Sequence, residues 1–197
     1  MITREQVHAL PIRRYGGDVH VLDAHGLAPA LADILNEAVV GFDTETRPAF
    51  RAGEVHLPSL AQVATARAVY LFPLRQRELA AAVADILGRE HIVKAGVALR
   101  DDLAALRKVI AFSEKSIVDV GALAKRQGAQ QTGVRNLAAI YLGFRIPKGA
   151  KTTNWARSTL TPQQITYAAT DAWVCRELYL KLNSGSVPIN AGGAPGR

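Results

Sequence analysis

The sequence predicts an α/β fold in a single domain, with a mixed sheet flanked by helices. Three observations carry this. Short apolar runs alternate with amphipathic stretches over the first part of the chain. Three of the early runs are separated by short turns, the pattern of an antiparallel meander inside a mixed sheet. The C-terminal part reads as helices alone.

The elements follow in order. Residues 1 to about 18 are weakly patterned and are expected to form an arm. Val19-His20-Val21-Leu22 reads as a short strand. Leu27 to Ala38 is helix-like, with Leu27, Leu31, Ile34 and Leu35 on one stripe. Val39-Val40-Gly41-Phe42 is a buried strand running into Asp43-Thr44-Glu45. Residues 46–58 hold Pro48, Gly53 and Pro58 and read as a loop. Ser59–Thr65 and Ala68–Phe72 are strands around a tight turn at Ala66-Arg67. Gln76 to Leu87 is a helix closed by Gly88. Ile92–Ala95 is a strand, Leu99–Ile110 a helix, and Ile117–Val120 a further short strand or strand end. Helices are expected at about 119–127, 134–142 and 162–182. The last has clear start signals: Thr161 as cap, Pro162 at the first position and Gln164 completing a capping box. Residues 183–197 are rich in Gly, Ser, Pro, Asn and Ala and read as a flexible tail. The domain itself is expected over 19–182.

Size and composition exclude several classes. The 197 residues correspond to one domain with some excess. A single cysteine, Cys175, rules out a disulfide framework and a multi-cysteine zinc site. No apolar run is long enough to span a membrane, and the N-terminus lacks an apolar signal core. The expectation is a soluble, cytoplasmic-type protein.

The net charge is +7, and its distribution is uneven. Between Val120 and Thr170 there is no Asp or Glu, but there are Lys125, Arg126, Arg135, Arg145, Lys148, Lys151 and Arg157. This segment supplies the whole excess. It reads either as a solvated basic face or as the contact for a polyanion, most simply nucleic acid.

Against that background three acidic sites stand out. Asp43 and Glu45 end an apolar strand, and alternation puts both on one face. There they are either the polar end of the strand or a pair that needs a cation to offset its repulsion. Asp101-Asp102 opens a helix whose stripe is Leu99, Leu103, Leu106 and Ile110. At 100° per residue Asp102 lies beside the stripe and Asp101 nearly opposite it, so Asp102 is the inward candidate. Both also fit ordinary first-turn acidity complementing the helix dipole. Asp171 lies among small and apolar residues, where a carboxylate needs a nearby arginine or a metal. Tyr167 precedes it by four residues and shares its helix face.

A strand Asp-x-Glu, a mid-chain helix Asp and a late Tyr-x-x-x-Asp together resemble the DEDDy branch of the DnaQ-like 3′-5′ exonucleases, which includes RNase D and the Werner-syndrome exonuclease domain. The resemblance runs from about 19 to 182. It is carried by Val40-Gly41-Phe42-Asp43-Thr44-Glu45, by Lys94-Ala95-Gly96-Val97 through Asp102, and by Asn154-Trp155 through Tyr167-Ala168-Ala169-Thr170-Asp171-Ala172. The sister branch has a His five residues before its last Asp, where this chain has Thr166.

The resemblance implies an RNase H-like fold with a mixed five-stranded sheet. It implies two divalent cations, Mg2+ or Mn2+, held by Asp43, Glu45, Asp102 and Asp171, and puts Tyr167 on the family's tyrosine, whose ordinary pKa of ~10 assigns it to orienting the attacking water. The implied partner is nucleic acid, DNA or RNA, entered at a single-stranded 3′ end. Thr44, Lys148, Lys151 and Arg157 are the further candidates for substrate contact. Phe50 either stacks on the terminal base or pins its loop to the core. Trp155, Trp173 and Cys175 read as packing residues. Two other functions remain open on the sequence: degradation of very short RNAs, and nucleic-acid binding without catalysis.

Overall fold

The computed structural model describes residues 1–51, 53–149 and 153–185. Strands β1 (Asp18–Val21), β2 (Val39–Thr46), β3 (Pro58–Ala64), β4 (Ala68–Pro73), β5 (Val93–Gly96) and β6 (Ile117–Asp119) form one sheet in the order β1-β4-β3-β2-β5-β6. β3 runs antiparallel to β2 and β4, while β1–β4, β2–β5 and β5–β6 pair in parallel. The sheet therefore has six strands rather than five. Both its edges, β1 and β6, are only three or four residues long. Both were expected as short segments, at Val19–Leu22 and Ile117–Val120, and pairing with β4 and β5 adds them to the sheet as its edges.

Helices cover both faces. On one side α2 (Leu27–Ile34), α3 (Arg77–Gly88) and α4 (Leu99–Leu106) bring Ile34, Val83, Ile86 and Leu103 onto Val40, Phe42, Val63 and Phe72. Phe42 is wholly buried there, a burial worth roughly 1.5–3 kcal/mol. On the other side lie α5 (Val120–Arg126), α6 (Val134–Leu137), a π-helical turn at Ala138–Leu142, and the long α7 (Pro162–Asn183). α7 lays Ala168, Ala169 and Ala172 on Leu60, Ala64, Val69 and Leu71. It starts as expected: the Thr161 hydroxyl accepts from Gln164 N–H at 3.2 Å, and Gln164 Oε1 accepts from Thr161 N–H at 3.0 Å.

Three helices differ from the expected lengths. α2 stops at Ile34 and α4 at Leu106. Both unwind through i→i−3 bonds, Glu37 N–H to Ile34 and Val109 N–H to Leu106, which let the apolar stripe continue without α-helical backbone. The 134–142 stretch keeps its inward face but widens into the π turn before Gly143, whose φ of 72° ends it.

The N-terminal segment holds α1 (Arg4–Ala9), with its own Thr3–Gln6 capping box. Its backbone is tied to the rest: Arg13 N–H donates to Arg145 O, Arg145 N–H to Pro11 O, both at 2.9 Å, and Tyr15 N–H to Thr170 Oγ1 at 3.0 Å. Residues 186–197, which hold nearly all of the expected tail, lie outside the described residues. No described helix is long and apolar enough to cross a membrane.

Candidate active site

The site forms where β2 ends and α7 crosses it. Alternation along β2 sends Val40, Phe42 and Thr44 to the face of α2 and α4, and Gly41, Asp43 and Glu45 to the face of α7. Gly41 is what lets α7 come close. A Cβ there would collide with the carbonyl oxygen of Ala172 and stand 3.0 Å from Arg176 N. Arg176 fixes the crossing further along, donating to Val39 O at 3.2 Å and pairing with Glu37 at 3.3 Å. Asp171 adjoins Ala172, so this contact delivers its carboxylate to the end of β2.

The result is a cluster. Asp43, Glu45 and Asp171 each offer a carboxylate oxygen within 4.8 Å of the others. Glu45 and Asp171 are buried, and Asp43 is half-buried. Three carboxylates this close repel one another strongly in a site with little water. Hard oxygen donors in that number fit a divalent cation.

Asp102 lines the same cavity of about 270 Å3, together with Thr44, Val97, Ala98, Val134, Tyr167 and Cys175. It stands outside the three-carboxylate group, and its Oδ1 accepts from the Thr44 hydroxyl at 3.1 Å. Asp101 is exposed, as the helical phase requires. Ala98, just before α4, sits in the left-handed region at φ 56°, φ/ψ space that a residue with a Cβ seldom occupies.

Tyr167 is half-buried, one turn before Asp171. Its phenol is held well above the usual tyrosine range, first by burial, then by the negative charge of Asp171 and Glu45, with a hydrogen bond to Asp171 adding to the effect. The hydroxyl is therefore a proton donor among carboxylates at neutral pH. Cys175, one turn beyond Asp171, also lines the cavity; burial, then Asp43 and Asp171, push its thiol up, so it stays protonated and inert.

The substrate-contact candidates scatter. Lys148 is exposed and lines a second cavity, of about 280 Å3, that shares Tyr167 and Asp171 with the first. Phe50 is 73% exposed, so it does not pin its loop to the core. Arg157 is exposed but lines neither of these cavities. Lys151 lies outside the described residues. Trp155 is buried and its ring lies 6.0 Å from that of Tyr167; Trp173 stacks on Phe144 at 5.6 Å. One neighbour of the site was not singled out from the sequence. Arg14 lines the Lys148 cavity; nothing local marks it, because the bond from Tyr15 to Thr170 brings it there. Cys175, expected as a packing residue one turn past Asp171, is buried and is also a wall of the acid cavity.

A carboxylate cluster at the end of an interior strand of a mixed α/β sheet, with a protonated phenol bonded into it, has the donor set for a divalent cation. The comparisons with known proteins agree. The 3′-5′ exonuclease family matches residues 19–185, and the chain belongs to that family, which generally uses divalent metals. The exonuclease mut-7 homolog of Aedes aegypti is 26% identical over 187 residues, covering 82% of this chain and 26% of that protein. The chain thus spans about a quarter of that relative's length. The EXO domain of Aedes aegypti Nibbler superposes with a TM-score of 0.77 at 23% identity, covering 87% of this chain and 91% of that one. Escherichia coli RNase D superposes with a TM-score of 0.71 at 20% identity, covering 86% and 46%. Both likenesses bear on the RNase H-like fold.

Proposed function

We propose that this chain is a 3′-5′ exonuclease that hydrolyses DNA or RNA from a single-stranded 3′ end to 5′-mononucleotides, using Mg2+ or Mn2+. The observation that carries the proposal is the convergence of Asp43, Glu45 and Asp171 within 4.8 Å beside a protonated Tyr167, in a chain of the exonuclease family.

Asp43, Glu45 and Asp171 would hold one cation, and Asp102 with Asp43 a second. Bound there, divalent cations would supply the Lewis acidity that eases ionisation of the attacking water and offsets charge on the leaving 3′ oxygen. The chain's own groups do the rest. Tyr167 donates or accepts a hydrogen bond to hold the water in line; its raised pKa keeps the phenol protonated at neutral pH and suits it to orientation. Thr44 holds Asp102 in one rotamer through the 3.1 Å bond. Lys148 and Arg14 place positive charge next to Tyr167 and Asp171, where a phosphate backbone must approach. The exposed Phe50 ring offers a stacking face for a base, a contact worth ~1–3 kcal/mol.

The test uses 5′-labelled single strands of DNA and RNA with Mg2+ or Mn2+. A descending ladder is expected, abolished by excess chelator and by Asp43→Ala. Immediate internal fragments, or full activity in chelator, would overturn the proposal.

A further inference from the structure

A separate groove of about 640 Å3 opens at the same end of the sheet as the carboxylates. It lies over the ends of β1, β3 and β4, whereas the acid cavity lies over β2 and β5. The two share no lining residue, but they adjoin. Leu60 in the groove pairs across the sheet with Glu45, and Trp155 in the groove wall packs its ring 6.0 Å from Tyr167. The space lies within the ~300–1,000 Å3 typical of ligand sites.

The lining is two-part. Leu57, 40% exposed, and half-buried Val109 form an apolar wall with Trp155, whose indole N–H finds no acceptor among the described residues. Around it stand three cations, Arg75, Lys108 and Arg157, against one carboxylate, Asp23. Asp23 is occupied by the backbone N–H groups of His25 and Gly26 at 3.0 and 2.9 Å. Arg75 donates to the carbonyls of Arg157 and Ser158, both at 3.0 Å, and so fixes the segment that carries Trp155 and Arg157. Among the described residues neither Lys108 nor Arg157 pairs with a carboxylate.

We infer that this groove is a second binding site for single-stranded nucleic acid. It holds part of the strand outside the acid cavity, with backbone phosphates on Lys108 and Arg157 and a base against the Leu57–Val109 wall that Trp155 backs. Apolar floor and cationic rim together match a single strand, whose bases present flat apolar faces and whose backbone is anionic. That the bound strand is also the substrate rests on the exonuclease reading.

The test measures binding, by fluorescence anisotropy, of a labelled oligothymidine strand to the full chain in chelator, so that no hydrolysis occurs. Neutralising one phosphate-binding cation lowers the slope of log affinity against log salt by about 0.7 for a single strand. The double variant Lys108→Gln/Arg157→Gln is expected to lower the slope by about 1.4 and to weaken binding. Both side chains are exposed, so the fold is retained; Arg75 is left in place because it holds the wall. The double variant Lys125→Gln/Arg126→Gln, with the same charge change on exposed residues of α5, is the control and should leave the slope near that of the parent. Equal slopes for the two double variants, or a groove variant that binds like the parent, would overturn the inference. The failures are distinguishable. An inactive protein whose binding still depends on Lys108 and Arg157 sinks only the exonuclease reading; a ladder-forming protein whose binding ignores them sinks only the groove.

Discussion

Thr44 donates its hydroxyl to Asp102 Oδ1 at 3.1 Å, joining β2 to the first turn of α4. Thr44 faces away from Asp43 and Glu45 along the strand, and it is 7% exposed. The bond therefore positions the one carboxylate in the cavity that stands outside the tight group. A hydrogen bond to a charged group is worth ~1.5–3 kcal/mol. Thr44→Val is expected to lower kcat by roughly ten- to a hundredfold, as that energy converts at ~1.4 kcal/mol per decade. Asp102→Asn keeps a polar partner for Thr44 but removes the charge, and should cost more. Asp101→Asn, on the exposed side of the same turn, should leave kcat unchanged. Steady-state kinetics on a short strand checks all three; a stronger effect at Asp101 than at Asp102 would contradict the assignment.

The approach of α7 to β2 sets a second expectation. A Cβ at Gly41 collides with the Ala172 backbone, which cannot move aside as a flexible side chain could. Gly41→Ala is expected to lose ~1–3 kcal/mol of stability, and activity with it, because Asp171 shifts relative to Asp43. Denaturant unfolding and the ladder assay, run on the same preparation, check this. Wild-type stability in the variant would show that the helix sits further from the strand.

Lys94 gives a pH-dependent prediction far from the chemistry. It is fully buried, its Nζ donates to Arg89 O at 2.6 Å, and burial pulls its pKa down to about 8. The folded state thus binds fewer protons than the unfolded state between about pH 8 and the ordinary lysine value of ~10.4. Stability rises with pH wherever the unfolded state binds more protons. Relative to Lys94→Met, the parent should therefore gain about 3 kcal/mol between pH 7 and pH 10.5. Unfolding of both proteins across that range is the measurement. A difference that does not change with pH would mean the ammonium is solvated.

Much of this was legible in the sequence because it depends on local periodicity. The buried strand running into Asp43-Thr44-Glu45, the phase that separates Asp101 from Asp102, and the capped helix that puts Tyr167 and Asp171 on one face are all consequences of helix and strand geometry. What was not legible depends on long-range contact. The strand at Asp18–Val21 was expected, but its parallel pairing with Ala68–Leu71, which sets it at the sheet's edge, is such a contact. Arg14 reaches the site through Tyr15 and Thr170, far apart in sequence. Arg157 fits the basic segment on composition, yet the carbonyl bonds from Arg75 place it in the groove over β3 and β4.

Tyr167 carries the sharpest prediction for the chemistry. Its hydroxyl lies among Asp171, Glu45 and Asp43, and burial together with their charge keeps it protonated. A phenol in that state is suited to orienting a water. Tyr167→Phe keeps the ring, and with it the contact to Trp155 at 6.0 Å, and removes only the hydrogen bond. Turnover should fall by roughly ten- to a thousandfold, the range for one oriented hydrogen bond in a reacting site. KM should move little, because the cations of the surrounding surface hold the backbone. The pH profile separates orientation from proton transfer. If the phenol only orients, the ratio of parent to variant kcat stays constant from roughly pH 6 to 9, below the ordinary tyrosine pKa of ~10. A ratio that grows with pH toward the tyrosine range would show that the phenolate takes the proton, and the assignment of Tyr167 as an orienting group would fall.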